Sequence, residues 1–184
     1  MNNISTDIHK AKNILEQDNL VAIPTETVYG LAGNAFSETA IKKIFETKNR
    51  PLFNPLIVHI HSKDLLDDLT EKVPQKAYQL AEAFWPGSLT LVLKKKSNIP
   101  YLVTAGKNTV AVRVPNHPLT LSLLQLLDFP LVAPSANPFG SISPTTAEHV
   151  ANYFPETVPL VLDGGICESG IESTESVEAV FQAI

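Results

Sequence analysis

Apolar and polar positions follow two periods along this chain, and they take turns. Residues 6–18 (TDIHKAKNILEQD) place Ile8, Ala11, Ile14 and Leu15 at three- and four-residue spacing behind a Thr/Asp start, which predicts an amphipathic helix. LVAIP at 20–24 is a short unbroken apolar run, the mark of a buried strand. Ser37 opens a second predicted helix, with Ala40, Ile41, Ile44 and Phe45 on its apolar face, that ends near Lys48. Strand PLIVHI (55–60), helical stretches at 62–70 and 75–84, and strand SLTLVLKKK (88–96) come next. The second half keeps the rhythm with strand 109–115, helix 118–128, strand 130–134, helix 145–154 and strand 159–163. Strands alternating with helices predict an α/β sheet covered by helices. No Gly/Ser linker, charge block or internal repeat marks a boundary, so one domain over 1–184 is expected.

Composition narrows the classes. The 184 residues are 44% hydrophobic, enough for one filled core, yet no apolar run approaches the ~18 residues that cross a bilayer. The start, MNNISTDIHK, has neither a basic n-region nor an apolar h-region, which predicts a cytoplasmic protein. Cys167 is the single cysteine, so an internal disulfide, a zinc ribbon and a CxxC redox site are excluded. A net charge of -5 has the wrong sign for whole-surface binding to nucleic acid, and any RNA contact must be a local patch.

Candidate chemistry gathers at strand ends. Pro24, Pro51, Pro55, Pro115, Pro134 and Pro138 flank predicted strands, giving rigid connections at which a sheet can hold polar groups. The chain has only two arginines, Arg50 and Arg113, and both lie beside these prolines. A guanidinium offers a fixed fork of donors suited to phosphate or carboxylate, whereas a solvated charge is equally well served by Lys. In K-N-R-P-L-F-N-P-L (48–56), Lys48, Arg50 and Asn54 can converge on a polyphosphate, or simply form a basic helix terminus that complements the macrodipole. P-T-E-T-V-Y-G-L (24–31) reads either as a polar pocket closed by a tight turn at Gly30 or as a Thr-rich β edge. P-S-A-N-P-F-G-S-I-S (134–143) exposes hydroxyls and backbone N–H groups suited to phosphate or ribose. Ser135 lacks the G-x-S-x-G elbow of a hydrolase nucleophile, and Gly164-Gly165 lacks the G-K-S/T of a P-loop. His59 and His61 are two apart in a predicted strand and so are expected on one side, but no third ligand supports zinc. In V-A-V-R-V-P, alternation puts Val110, Val112 and Val114 on the core face and Ala111 and Arg113 on the pocket face.

These segments, together with I-V-H-I (57–60), W-P-G-S-L-T-L-V (85–92), V-A-V-R-V-P-N-H-P-L (110–119) and G-I-E-S-T (170–174), occur in an order that resembles the Sua5/YciO/YrdC family over roughly residues 8–175. The resemblance implies a single-domain twisted mixed sheet with helices on its faces. It implies L-threonylcarbamoyladenylate synthesis: L-threonine, bicarbonate or CO2, and ATP give threonylcarbamoyl-AMP and pyrophosphate. That product would pass to the tRNA threonylcarbamoyl transferase machinery for modification of adenosine 37. By motif, Lys48, Arg50, Asn54, Thr109, Ser135, Asn137 and Ser143 would hold ATP, with Lys48 and Arg50 serving the reacting phosphates. Thr27, His59, Arg113 and Ser173 would enclose threonine, and Mg2+ would arrive on the ATP phosphates rather than in a protein cage. At the carboxyl end the family pattern continues S-T-V and a later R-P-G-like segment, whereas residues 173–184 read S-T-E-S-V-E-A-V-F-Q-A-I, which points to a short or a truncated form of the family. The alternatives are a YrdC-like RNA-binding module, using Lys42, Lys43, Lys48, Arg50 and Lys94–Lys96 for weak tRNA or double-stranded RNA contact, and a relative that adenylates a different carbamate.

Overall fold

The computed structural model describes residues 3–171. Eight strands form one mixed sheet: β1 (Ile4–Ser5), β2 (Val21–Ile23), β3 (Gly30–Asn34), β4 (Ile57–His59), β5 (Leu91–Lys94), β6 (Thr109–Arg113), β7 (Leu131–Val132) and β8 (Leu160–Leu162), in the order β1-β8-β2-β3-β7-β4-β6-β5. The helices are α1 (Ile8–Glu16), α2 (Glu38–Lys48), α3 (Leu66–Leu69), α4 (Gln75–Phe84), α5 (Tyr101–Thr104), α6 (Pro118–Leu126) and α7 (Ala147–Tyr153), with a 3-10 turn at Lys63–Leu65. None of them is long and apolar enough to cross a membrane.

Local chemistry explains the well-defined ends. Asp7 caps α1 by accepting from His9 and Lys10 N–H, and Ser37 caps α2 by accepting from Ala40 N–H. At the far end of α2, Asn49 takes a left-handed conformation (φ 52) that stops the helix and turns Arg50 toward the sheet. The strand β6 alternates as expected: Val110, Val112 and Val114 are buried in the main core.

The two sheet faces are covered differently, and this creates the site. One face, carrying Ala22, Leu31, Val58, Val112, Val132 and Val161, packs on apolar residues of α2, α3, α4, α5 and α7. The opposite face, carrying Val21, Ile23, Ala32, Leu131, Leu160 and Leu162, is covered by Ala11 and Leu15 of α1 and Leu123 and Leu124 of α6. That second layer covers β2, β3, β7 and β8. Over β4, β6 and β5 the same face presents Ile57, His59, Ala111 and Arg113, which belong to neither apolar cluster. A sheet face without a helix over it and with an arginine on it is a binding surface in the making.

Two strands, β1 and β3, depart from the sequence expectation. Gly30 does not close a tight turn; it begins β3, which pairs antiparallel with both β2 and β7 at the centre of the sheet. A Cβ at Gly30 would lie 3.1 Å from Ala133 Cβ, and one at Gly33 would meet Leu20, Ala40 and Ile44 at 3.2–3.3 Å. These glycines serve close packing rather than a turn.

Candidate functional site

A cleft of about 100 Å3 opens on the uncovered part of the sheet, lined among others by Thr25, Thr27, Arg50, His59, Arg113 and Ser135. Five connections bring these residues together: the turn after β2, the loop after α2, and the ends of β4, β6 and β7. The parallel register of β4 and β6 pairs His59 directly with Arg113. Pro24, Pro55, Pro115 and Pro134 all flank this convergence, as the rigid-connection argument expects.

Arg113 is only 3% exposed. Its Nε donates to Gly87 O at 2.9 Å, and its Nη2 donates to Glu26 Oε1 at 2.5 Å and to Thr27 Oγ1 at 3.3 Å. None of these bonds uses Nη1. Glu26 Oε2 in turn accepts from Asn116 N–H at 2.9 Å, so the carboxylate ties Arg113 to the loop after β6. Sequence reading left Glu26 unassigned. The signal available was charge balance: a buried guanidinium needs a carboxylate partner, and Glu26 lies inside the polar 24–31 segment.

His59 is 2% exposed, and burial followed by the nearby Arg113 charge lowers its pKa to about 3. The ring is therefore neutral at physiological pH. Because the ordinary value of 6.5 applies when the chain unfolds, His59 favours the native state fully above pH 6.5 and loses that contribution progressively toward pH 3. Urea midpoints should fall between pH 6.5 and 4, and a His59→Gln variant should lose part of that pH dependence; an unchanged slope would mean His59 is solvated. His61 does not join it. It lies beyond the end of β4 and lines a separate cavity with Phe36, Leu65 and Phe129, so the expected same-side pair does not form.

Lys48 is 1% exposed, and its Nζ donates to the backbone carbonyls of Ser135 and Asn137, each at 2.5 Å. Its own carbonyl accepts from Phe139 N–H at 2.7 Å. The ammonium thus splices the end of α2 to the 134–143 loop. Arg50 Nη2 donates to Pro55 O at 3.2 Å, bracing the 50–55 loop. Asn137 is 4% exposed; its Nδ2 donates to Pro138 O and Ser141 O, and its Oδ1 is buried without a hydrogen-bond partner. Asn54 and Ser143 sit half-buried on these same two loops, outside the cleft lining. Thr109 shares the face of Arg113 at the other end of β6, four residues or roughly 13 Å away. Ser173 lies outside the described residues.

The cations suggested for RNA contact are divided: Lys42, Lys94 and Lys96 are exposed and Lys43 and Arg50 half-buried. Lys48 and Lys95 are buried; Lys95 Nζ donates to Ile99 O and lies 4.3 Å from the Tyr101 ring centroid. Lys43 Nζ is bound by Asp18 O and Asn19, and Lys96 Nζ by Asp67 O. The run Lys94–Lys96 is therefore not a uniformly solvated strand end. Among the described residues, no group of three or more His, Cys, Asp or Glu side chains is arranged to hold a metal ion.

Comparison with known proteins places these features in company. Residues 13–175 match the family profile Sua5_yciO_yrdC, described as telomere recombination. The chain is 49% identical over 167 residues to a threonylcarbamoyl-AMP synthase of Pyrococcus abyssi and 49% identical over 168 residues to one of Bacillus subtilis, covering 91% of this chain and 49% of each relative. The fold matches a crystal structure of P. abyssi Sua5 complexed with L-threonine with a TM-score of 0.89, at 49% identity, over 91% of this chain and 49% of that one. The chain spans about half the length of these relatives.

Proposed function

The chain belongs to the Sua5/YciO/YrdC family, and from that premise we propose that it is an L-threonylcarbamoyladenylate synthase whose cleft takes L-threonine beside Arg113 and the triphosphate of ATP beside Arg50. The observation that carries this reading is the buried Arg113 in a small polar cleft next to a second arginine, at the place where two loops approach from α2 and β7. Two arginines in one cleft suit two anions: the α-carboxylate of an amino acid and a polyphosphate.

The chemistry asks for positioning and charge neutralisation rather than a covalent nucleophile. The neutral α-amine of threonine forms an N–C bond to CO2, the displaced π pair moves to oxygen, and a nitrogen proton leaves to solvent. A carbamate oxygen then attacks the α-phosphorus in line and pyrophosphate departs. Arg113 Nη1 is the guanidinium nitrogen left for the substrate carboxylate, Thr27 Oγ1 and His59 border the amine, and Arg50 neutralises developing charge on the phosphates. The open face running from Arg113 toward Thr109 gives the nucleotide a direction in which to lie. Mg2+ would be held by phosphate oxygens and water. The product would serve tRNA modification through a separate transferase. The burial of Lys48 and Lys95 withdraws these two cations from the RNA-binding alternative.

Pyrophosphate release tests the reading. It should require ATP, L-threonine and bicarbonate together, and L-serine should be at least about tenfold poorer, since one methyl in an apolar contact discriminates by about 1–3 kcal/mol. Equal release with serine, or with bicarbonate depleted, would overturn the threonine carbamate assignment.

A further inference from the structure

The plane of the Arg113 guanidinium is set from a loop that lies outside the cleft lining. After α4 the chain leaves the helix at Trp85, whose backbone N–H still donates to Ala81 O at 2.9 Å, and meets the end of β6 at Gly87. Gly87 makes two bonds there: its N–H donates to Val114 O at 2.8 Å, and its carbonyl accepts from Arg113 Nε at 2.9 Å. With Glu26 taking Nη2, acceptors at two nitrogens hold the planar group against rotation. Gly87 itself has no room to spare. A Cβ there would fall 2.4 Å from Phe84 O, because the loop is folded tightly against the end of α4.

The residue that closes this loop is the single tryptophan of the chain. Trp85 is half-buried and packs on the main core, and its Nε1 donates to Leu89 O at 2.7 Å. That bond joins the two ends of the segment 85–89, whose middle residue is Gly87. Backbone bonds anchor the segment at Trp85 and Gly87, and the indole ties its far arm back to the end of the helix. A carbonyl free to drift would let the guanidinium turn about its Cδ–Nε bond and carry Nη1 with it, and small misplacements of a binding group are costly.

We propose that Trp85 is a positioning residue for the synthase reaction: by closing the 85–89 loop it fixes the Gly87 carbonyl, which sets the plane of Arg113 and so the direction of the nitrogen left for the α-carboxylate of threonine. This rests on the assignment of threonine to Arg113 made above. Trp85 acts through Gly87 and Arg113 and needs no contact with the substrate.

Trp85→Phe keeps an aromatic ring on the core and removes the indole N–H. The threonine KM should rise at least about tenfold, with kcat and the ATP KM each within about threefold of the parent. An unchanged threonine KM, equal rises in both KM values, or a rise in the ATP KM instead would overturn the proposal. The unaltered protein offers a second measurement that holds even where Trp85→Phe fails to fold. With one tryptophan, its NMR spectrum carries one indole N–H resonance, and exchange of that proton with solvent reports how often the bond to Leu89 O opens. Linkage is reciprocal: if the closed loop raises the affinity for threonine about tenfold, saturating threonine favours the closed loop by the same factor. L-threonine should therefore slow indole exchange about tenfold, and ATP alone should leave it within about twofold. An exchange rate that threonine does not change, where calorimetry shows threonine bound, would sink the proposal. A parent protein that binds no threonine in the calorimeter would refute the assignment of function itself, and this inference with it.

Discussion

Lys48→Met should abolish adenylate formation and lower the melting temperature together. The substitution keeps most of the side-chain volume and removes the ammonium, which in this structure is 1% exposed and bonded to the carbonyls of Ser135 and Asn137. Two buried carbonyls losing a charged donor destabilise by about 2–5 kcal/mol, equivalent to a fall of about 5–15 °C in a chain of this size. Activity should fall more steeply, at least about 100-fold, because the 134–143 loop carries Ser135, Asn137 and Ser143 and its placement depends on that splice. Arg50→Ala separates the two effects: Arg50 braces its own loop through Pro55 O, so turnover should be lost with a smaller fall in melting temperature than in Lys48→Met. A Lys48→Met protein with normal stability and normal turnover would mean that the ammonium is a bystander.

Arg113→Lys should raise the threonine KM at least about 50-fold while leaving the ATP KM within about threefold. Lysine retains the charge but cannot reproduce the planar arrangement in which Nε holds Gly87 O and Nη2 holds Glu26 while a third nitrogen, Nη1, is left over. Its ammonium would pair with Glu26, whose second oxygen remains anchored to Asn116 N–H, and the substrate carboxylate would lose its donor. The fork of donors that suits a guanidinium to a carboxylate is already partly occupied within the protein. With Nη2 already shared between Glu26 and Thr27, the substrate contact falls mainly to Nη1. If the variant weakens ATP and leaves threonine untouched, Arg113 belongs to the phosphate site.

Much of this arrangement was legible because periodicity and end signals agree with the fold. The helix begun by Ser37 and ended at Lys48, and the valine face of β6, follow directly from spacing and capping. β3 was not legible, since G-L-A-G-N carries no alternation: it is covered on both faces and its glycines answer to neighbours that are remote in sequence, Ala133 at Gly30 and Leu20 at Gly33. The same holds at the site. Two scarce arginines beside prolines pointed to Arg50 and Arg113, because residue choice and position are both written in the chain. The Glu26–Arg113 pair spans 87 positions, and the Lys48 bonds to Ser135 and Asn137 span 87 and 89, so no local pattern encodes them. The inward turn of Lys95 is equally invisible: K-K-K reads as a solvated run until Tyr101 and Ile99 O are found around the middle ammonium.

The central claim is that this cleft joins threonine, inorganic carbon and ATP in one product, and isotope labelling tests it most directly. Incubating the purified chain with L-threonine, ATP and 13C-bicarbonate should give a threonylcarbamoyl-AMP whose mass is one unit higher than the product of unlabelled bicarbonate, and Arg113→Lys should suppress that species at limiting threonine. An AMP adduct whose mass does not change with the label, or one formed equally well without threonine, would contradict the account.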